Sequence, residues 1–72
     1  MNKERKPKYP IGTKFIRRNR NAVIETISEI YITRNSKGGF ISLRYEATHL
    51  LLGQIVTDYD ILETSIARGE VL

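Results

Sequence analysis

Residues 22–49 decide the fold, and they read AVIETISEIYITRNSKGGFISLRYEATH. β-Branched and aromatic side chains, which suit a pleated and half-buried strand, dominate residues 22–34. Residues 35–39, NSKGG, then provide turn chemistry, because asparagine and glycine tolerate left-handed backbone angles. A second strand-like run follows over residues 40–49. The stretch therefore predicts a β-hairpin with a loop of about four or five residues.

The second strand of this hairpin has a regular two-residue period. Apolar or small side chains recur at Ile41, Leu43, Tyr45 and Ala47. Polar side chains fill the positions between them, which is typical of an antiparallel strand with one wet face. The first strand has apolar residues on both faces. We therefore expect it to bend, so that different segments face the core.

Three further segments surround the hairpin. Residues 13–17, TKFIR, predict a first strand, and residues 54–59, QIVTDY, predict a shorter one. Residues 60–69 fit either a short helix or a closing strand. Asp60 and Glu63 have the spacing of a helix capping box, whereas Leu62, Thr64 and Ile66 alternate as in a strand.

Taken together, these segments predict an all-β fold of four to five antiparallel strands, with one short C-terminal helix as an option. A small barrel is the expected arrangement, because closure removes exposed sheet edges.

The 72 residues are expected to form one domain preceded by an arm. Residues 1–8, MNKERKPK, are basic and lack apolar periodicity, so we interpret them as a mobile basic arm. Residues 9–72 are then a single small β-barrel domain. The chain has no cysteine, which fits a reducing cytoplasm, and no apolar run that suits a membrane helix. We therefore expect a cytoplasmic protein without membrane contact.

Charge is divided unevenly along the chain. Residues 1–20 hold eight basic side chains and one acid, a net charge of +7, whereas residues 21–72 have a net charge of −3. Such a field favours an anionic partner, of which nucleic acid, DNA or RNA, is the commonest. The candidate phosphate-binding residues are Lys3, Arg5, Lys6, Lys8, Lys14, Arg17, Arg18, Arg20, Arg34 and Lys37. This hypothesis requires that they lie on one side and are not neutralised by the later acids, of which Glu25, Glu29 and Glu46 are expected on outer sheet faces.

No constellation predicts catalysis, a cofactor or a metal. The one histidine, His49, fits a half-buried core or edge position. Asp58 and Asp60 fit a polar turn and a helix cap better than a metal site, because no further oxygen ligands stand at recognisable spacing. A rival to nucleic-acid binding is docking on a host or phage protein through a sheet edge or an apolar patch. That patch would be formed by Tyr31, Ile32 and residues 50–52. A virion component and self-association are further alternatives.

Several motifs in residues 9–69 resemble those of small proteins encoded by tailed bacteriophages and prophages. The resemblance lies in residues 9–15, YPIGTKF, in residues 33–38, TRNSKG, in residues 53–56, GQIV, and in residues 64–69, TSIARG, where Ser65 is a small departure. It implies a phage origin and a host cytoplasm, with no known activity to carry over. Under the rival hypothesis of protein docking, the protein would act in host takeover as an inhibitor or adaptor. The turn signals also resemble SH3-like barrels of the Tudor and KOW type, which bind peptides or nucleic acid.

Overall fold

The computed structural model describes residues 6–72, in which five strands form one antiparallel sheet. The elements are β1 (Lys14–Ile16), β2 (Glu25–Arg34), β3 (Phe40–Leu51), β4 (Gln54–Ile61), α1 (Glu63–Ala67) and β5 (Glu70–Val71). Their spatial order is β4-β3-β2-β1-β5, so α1 brings the chain back to β1. The all-β class and the strand number are confirmed. The C-terminal segment contains both of the expected alternatives, a short helix and a closing strand.

The sheet is not closed into a barrel, and that part of the expectation is wrong. β4 and β5 lie at opposite edges and do not pair with each other. β1 has three residues and β5 has two, so the sheet narrows sharply on that side. Within residues 6–72, β4 consequently keeps one free edge.

The β2–β3 hairpin forms as the turn residues predict. The side-chain oxygen Oδ1 of Asn35 accepts hydrogen bonds from the backbone N–H groups of Lys37 (3.0 Å) and Gly39 (2.7 Å). The backbone N–H of Asn35 donates to the Gly39 carbonyl at 2.8 Å. One asparagine thus organises the whole loop, which is the role of this residue type in turns.

A bulge in β2 provides the expected bend. The β2–β3 register shifts between Ile27 and Glu29. Ile27 is buried before the shift, whereas Ile30 and Ile32 pack against the core after it and Tyr31 turns outward. A bulge reverses which parity of side chains faces inward, so both sets of apolar residues find cover.

The core lies on one face of the sheet. Its buried side chains are Phe15, Ile27, Leu43, Tyr45, Ala47, Ile61 and Ile66. The alternation predicted for β3 is confirmed from Leu43 onward and extends to the buried His49. The expected core position of Ile41 is wrong, because this residue lies beside the hairpin loop, beyond the core, and is exposed.

Helix α1 begins without the predicted cap. Its N-cap residue is Leu62, which makes no side-chain cap hydrogen bond. Asp60 instead has φ 57° and lies where the β3–β4 register shifts. The cap prediction is therefore wrong. α1 is held by the fully buried Ile66 and by the side chain of its first residue, Glu63, whose Oε2 accepts a hydrogen bond from the Tyr45 hydroxyl at 2.6 Å.

The predicted arm is described only in part, because Lys3 and Arg5 lie outside residues 6–72. The backbone N–H of Lys8 donates to the Tyr45 hydroxyl at 3.1 Å and to Glu63 Oε2 at 3.0 Å. The Tyr9 ring packs on Tyr45, with ring centroids 6.1 Å apart. The chain is thus attached to the core from Lys8 onward.

Among residues 6–72, no helix is long and apolar enough to cross a membrane.

Candidate functional site

A buried ion pair lies beside the β1–β2 loop. β1 pairs with β2 so that Phe15 stands opposite Glu25, and the Glu25 side chain is fully buried. Arg17 reaches it with two hydrogen bonds, from Nε to Oε2 and from Nη2 to Oε1, both 2.6 Å long. A bidentate pair of this kind has the strongest geometry available to a guanidinium and a carboxylate.

Asp58, Arg20 and His49 extend this pair into a charge cluster. The Asp58 oxygen Oδ2 accepts from Arg17 Nη2 at 3.0 Å and from Arg20 Nη1 at 2.8 Å. Arg20 Nη2 lies 3.2 Å from His49 Nε2. A guanidinium only donates, so Nε2 accepts and the proton of the neutral ring is on Nδ1. Nδ1 lies 3.4 Å from Asp58 Oδ2 but makes no hydrogen bond within the described part of the chain.

The cluster balances its own charge. Burial raises the pKa of Asp58, but the Arg20 hydrogen bond and the positive charges of Arg20 and Arg17 outweigh burial and hold this pKa below its ordinary value. The hydrogen bond to Glu25 raises the pKa of Arg17. Two arginines therefore neutralise two carboxylates. The expected place of Glu25 on an outer sheet face is wrong, because its side chain is fully buried. No local pattern in the sequence indicates that this side chain turns inward.

Three cluster residues also carry metal-ligand atoms. Donor atoms of Glu25, His49 and Asp58 lie within 4.8 Å of one another. Both Glu25 oxygens already accept from Arg17, and Asp58 accepts from both arginines. A divalent cation would meet two guanidinium groups in a site that is already neutral. The arrangement is that of a structural ion-pair network, not of a metal centre.

The remaining predicted cations are dispersed. Arg34 and Lys37 lie at the far end of β2 from Glu25, about 30 Å along the strand. The side-chain nitrogen of Lys14 donates to Thr26 Oγ1 at 3.0 Å. Lys6 and Lys8 lie at the start of the described chain. The length of β2 therefore separates Arg34 and Lys37 from Arg17 and Arg20.

Arg18 does lie in a groove that carries positive charge. The groove has a volume of about 400 Å³ and is lined by Arg17, Arg18, Asn19, Ser65 and Arg68. None of these residues is acidic. Arg68 reaches this place because the backbone at Gly69 touches the Ile16 carbonyl oxygen. Arg68 was not among the predicted site residues, since only the β1–β5 pairing brings it near Arg18.

Large apolar side chains are exposed next to the cluster, at and beside the β3–β4 turn. This region, here named the apolar end, comprises Ile24, Leu50, Leu51, Leu52 and Ile55, of which Ile24, Leu50 and Ile55 line one groove. Leu50 and Ile55 are each 72% exposed and stand opposite each other in the β3–β4 register. They line a groove of about 550 Å³ with Ile24, Lys14, Thr26 and Thr48 among its walls.

Leu52 is the least protected apolar side chain of the apolar end. It is 96% exposed and has φ 51°, and Gly53 after it has φ 78°. Positive φ at both loop residues is the geometry of a type I′ hairpin turn, in which asparagine is favoured at the first position. A leucine here is strained and exposed at once, and strain of this kind is often found at functional sites.

The predicted apolar patch is divided by the structure. Tyr31 pairs with Arg44, six residues along β3 from Leu50, which is about 20 Å of strand. Tyr31 donates a hydrogen bond to Glu46 Oε2 at 3.1 Å, which raises the pKa of this tyrosine. Leu50 instead lines one groove with Ile24 and Ile55.

Comparisons with known proteins found no match: the chain matches no protein-family model, no curated protein and no solved structure. The resemblance to phage-encoded proteins therefore stays a prediction.

Proposed function

We propose that the protein is a non-catalytic binding module that docks on another protein through the apolar end. The observation that carries this proposal is Leu52, an almost fully exposed leucine held at φ 51° on the tip of the β3–β4 hairpin. Both its exposure and its backbone angle are unfavourable for the isolated chain. A partner that covers the leucine side chain would compensate for both.

The surroundings of Leu52 fit an interface. Apolar side chains at the centre and polar ones at the edge are the usual arrangement of a protein contact. Leu50, Ile55 and Ile24 supply the apolar area, and Thr26, Thr48 and Lys14 form a polar border. Lys14 favours an acidic side chain at the corresponding edge of the partner. If the phage resemblance holds, the partner is a host or phage protein in the bacterial cytoplasm.

A pull-down from nuclease-treated bacterial lysate tests this proposal. The baits are the wild-type chain, Leu50→Ser/Ile55→Ser and the control Leu62→Ser, which also changes an exposed leucine but outside the apolar end. We expect a protein that the wild-type and the control retain and that the double variant loses. Retention by all three baits would show that the apolar end is not the docking surface.

Nucleic-acid binding is a second candidate, and the groove of Arg18 and Arg68 favours it. Exposed guanidinium groups with no acidic neighbour in the groove suit phosphate oxygens. The contact is narrower than the sequence predicts, because Arg17 and Arg20 already neutralise carboxylates.

A salt titration with single- and double-stranded DNA and RNA tests this candidate. If this candidate holds, the logarithm of the binding constant falls linearly with the logarithm of the salt concentration. Arg18→Ala/Arg68→Ala then weakens binding far more than Lys37→Ala at the distant hairpin. Equal effects of the two variants would exclude the groove. Undetectable binding at low salt would remove the candidate.

A further inference from the structure

The free edge of β4 lacks the usual protection. Exposed sheet edges are normally blunted by lysine, proline, inward-pointing charge or a β-bulge, because their unpaired backbone groups recruit other strands. The bulge of β4 lies at its C-terminal end, at Tyr59 and Asp60, and leaves the edge before it regular. β4 reads QIVTDYDI and contains no lysine, arginine or proline. Its neighbour on one side is β3, and within residues 6–72 no strand covers the other side.

Charge does not protect this edge either. Asp58 is neutralised by Arg17 and Arg20 within the charge cluster. Asp60 has left-handed backbone angles at the register shift, beyond the regular part of the strand. The five residues 55–59 therefore present no unbalanced charge to an approaching strand.

The side chains of this segment are arranged symmetrically about Thr57. Ile55 and Tyr59 each lie two residues from it and are 72% and 67% exposed. If a second copy pairs antiparallel with a two-fold axis beside Thr57, each Ile55 stands opposite a Tyr59. Aromatic and β-branched residues form favourable cross-strand pairs. A self-complementary patch is what a two-fold interface requires.

We propose that the β4 edge pairs antiparallel with β4 of a second copy of this chain, joining two five-stranded sheets across Thr57. The proposal rests on the proposed function only in that both use Ile55. The paired segment is short, and its interface is smaller than the about 1,600 Å² of a standard stable complex. The dimer is therefore expected to be weak, and the fraction of chains in the dimer rises with protein concentration.

Cysteine cross-linking tests the contact and its register, because the chain has no cysteine of its own. Residues directly opposite in an antiparallel pair have Cα atoms about 4.5–5.5 Å apart, within the range that a disulfide spans. We expect Thr57→Cys to form a disulfide dimer under mild oxidation. A mixture of Ile55→Cys with Tyr59→Cys should form the mixed dimer in preference to either homodimer. Thr33→Cys is the matched control, since it changes an exposed threonine of β2 away from the edge.

Sedimentation equilibrium of the cysteine-free chain and of Thr57→Lys provides the second measurement. The wild-type average mass should rise with concentration, whereas Thr57→Lys, with its two lysines brought together at the axis, should stay monomeric. The proposal is overturned if Thr57→Cys cross-links no faster than Thr33→Cys, or if the wild-type chain is monomeric throughout. A monomeric chain that still loses its partner in Leu50→Ser/Ile55→Ser would leave the docking function intact. Failure of the β4 pairing can therefore be told apart from failure of the docking function.

Discussion

Arg17 and Arg20 direct their charge to Glu25 and Asp58 rather than to solvent. A buried carboxylate is tolerated only when it is paired and hydrogen-bonded, and Glu25 meets that condition through two hydrogen bonds from Arg17, with Arg20 Nη1 3.9 Å from its Oε1. Removing one partner of such a pair is costly because the other charge loses its compensation. The charge cluster therefore ties the β1–β2 loop, β2 and β4 together in a chain with a small core.

Glu25→Gln keeps the shape of the side chain but removes its charge. We expect the free energy of unfolding to fall by about 2 kcal/mol, because Arg17 loses a charge-assisted pair. Urea denaturation monitored by circular dichroism measures the change. Glu29→Gln, at an exposed position of the same strand, should change the stability little. Equal effects of the two substitutions would contradict the role given to the cluster.

The raised pKa of Tyr45 predicts that the folded protein loses stability at high pH. Burial, then the hydrogen bond to Glu63, raises the pKa of Tyr45 from 10.0 to about 12. Since the folded pKa lies above the unfolded one, the stabilisation is complete below about pH 10 and is lost as the pH rises toward 12. Denaturant midpoints at pH 9 and pH 11.5 should fall more for the wild-type chain than for Tyr45→Phe. A parallel decline of the two proteins would argue against this linkage.

At the scale of the elements, close backbone contact attaches β5 and α1 to β1. A side chain at Gly69 would collide with the Ile16 carbonyl oxygen, which is fixed by the sheet. This contact positions Arg68 beside Arg18 in the groove.

Gly69→Ala should lower the free energy of unfolding by about 3 kcal/mol, because backbone atoms must move to admit the methyl group. Gly39→Ala is the control. Its new methyl group would meet only the side chain of Asn35, with the nearest atom 3.0 Å away, so we expect a smaller loss. Thermal unfolding compares the two variants, and a Gly69→Ala protein as stable as Gly39→Ala would refute the close approach.

Local signals predicted the elements better than they predicted the contacts between them. Asn35 and the two glycines after it mark the hairpin, and the alternation in β3 marks its core face, since both depend on neighbouring residues. The burial of Glu25 depends on Arg17, eight residues away, and on a β1–β2 pairing that no local pattern reveals. The bulge near Ser28 likewise changes which side chains of β2 face the core, and no glycine, proline or asparagine marks its position in the sequence.

At the scale of the whole molecule, the predicted phosphate-binding cations lie at both ends of β2, while exposed apolar area is concentrated at the β3–β4 turn. Much of the early positive charge is balanced internally, and Arg34 and Lys37 lie at the other end of the sheet. The apolar end gathers five large side chains around one hairpin. The proposed docking surface therefore follows the location of the exposed leucines and isoleucines rather than the net charge.

Leu52→Asn tests the central claim most directly, because it separates folding from binding. Asparagine tolerates the left-handed angle of the type I′ turn, so the free energy of unfolding should rise by about 1 kcal/mol. Retention of the partner from nuclease-treated lysate should fall about tenfold at equal amounts of folded bait. A variant that is more stable and binds less is the predicted result. Undiminished retention by Leu52→Asn, or a wild-type chain that retains no protein at all, would contradict the account.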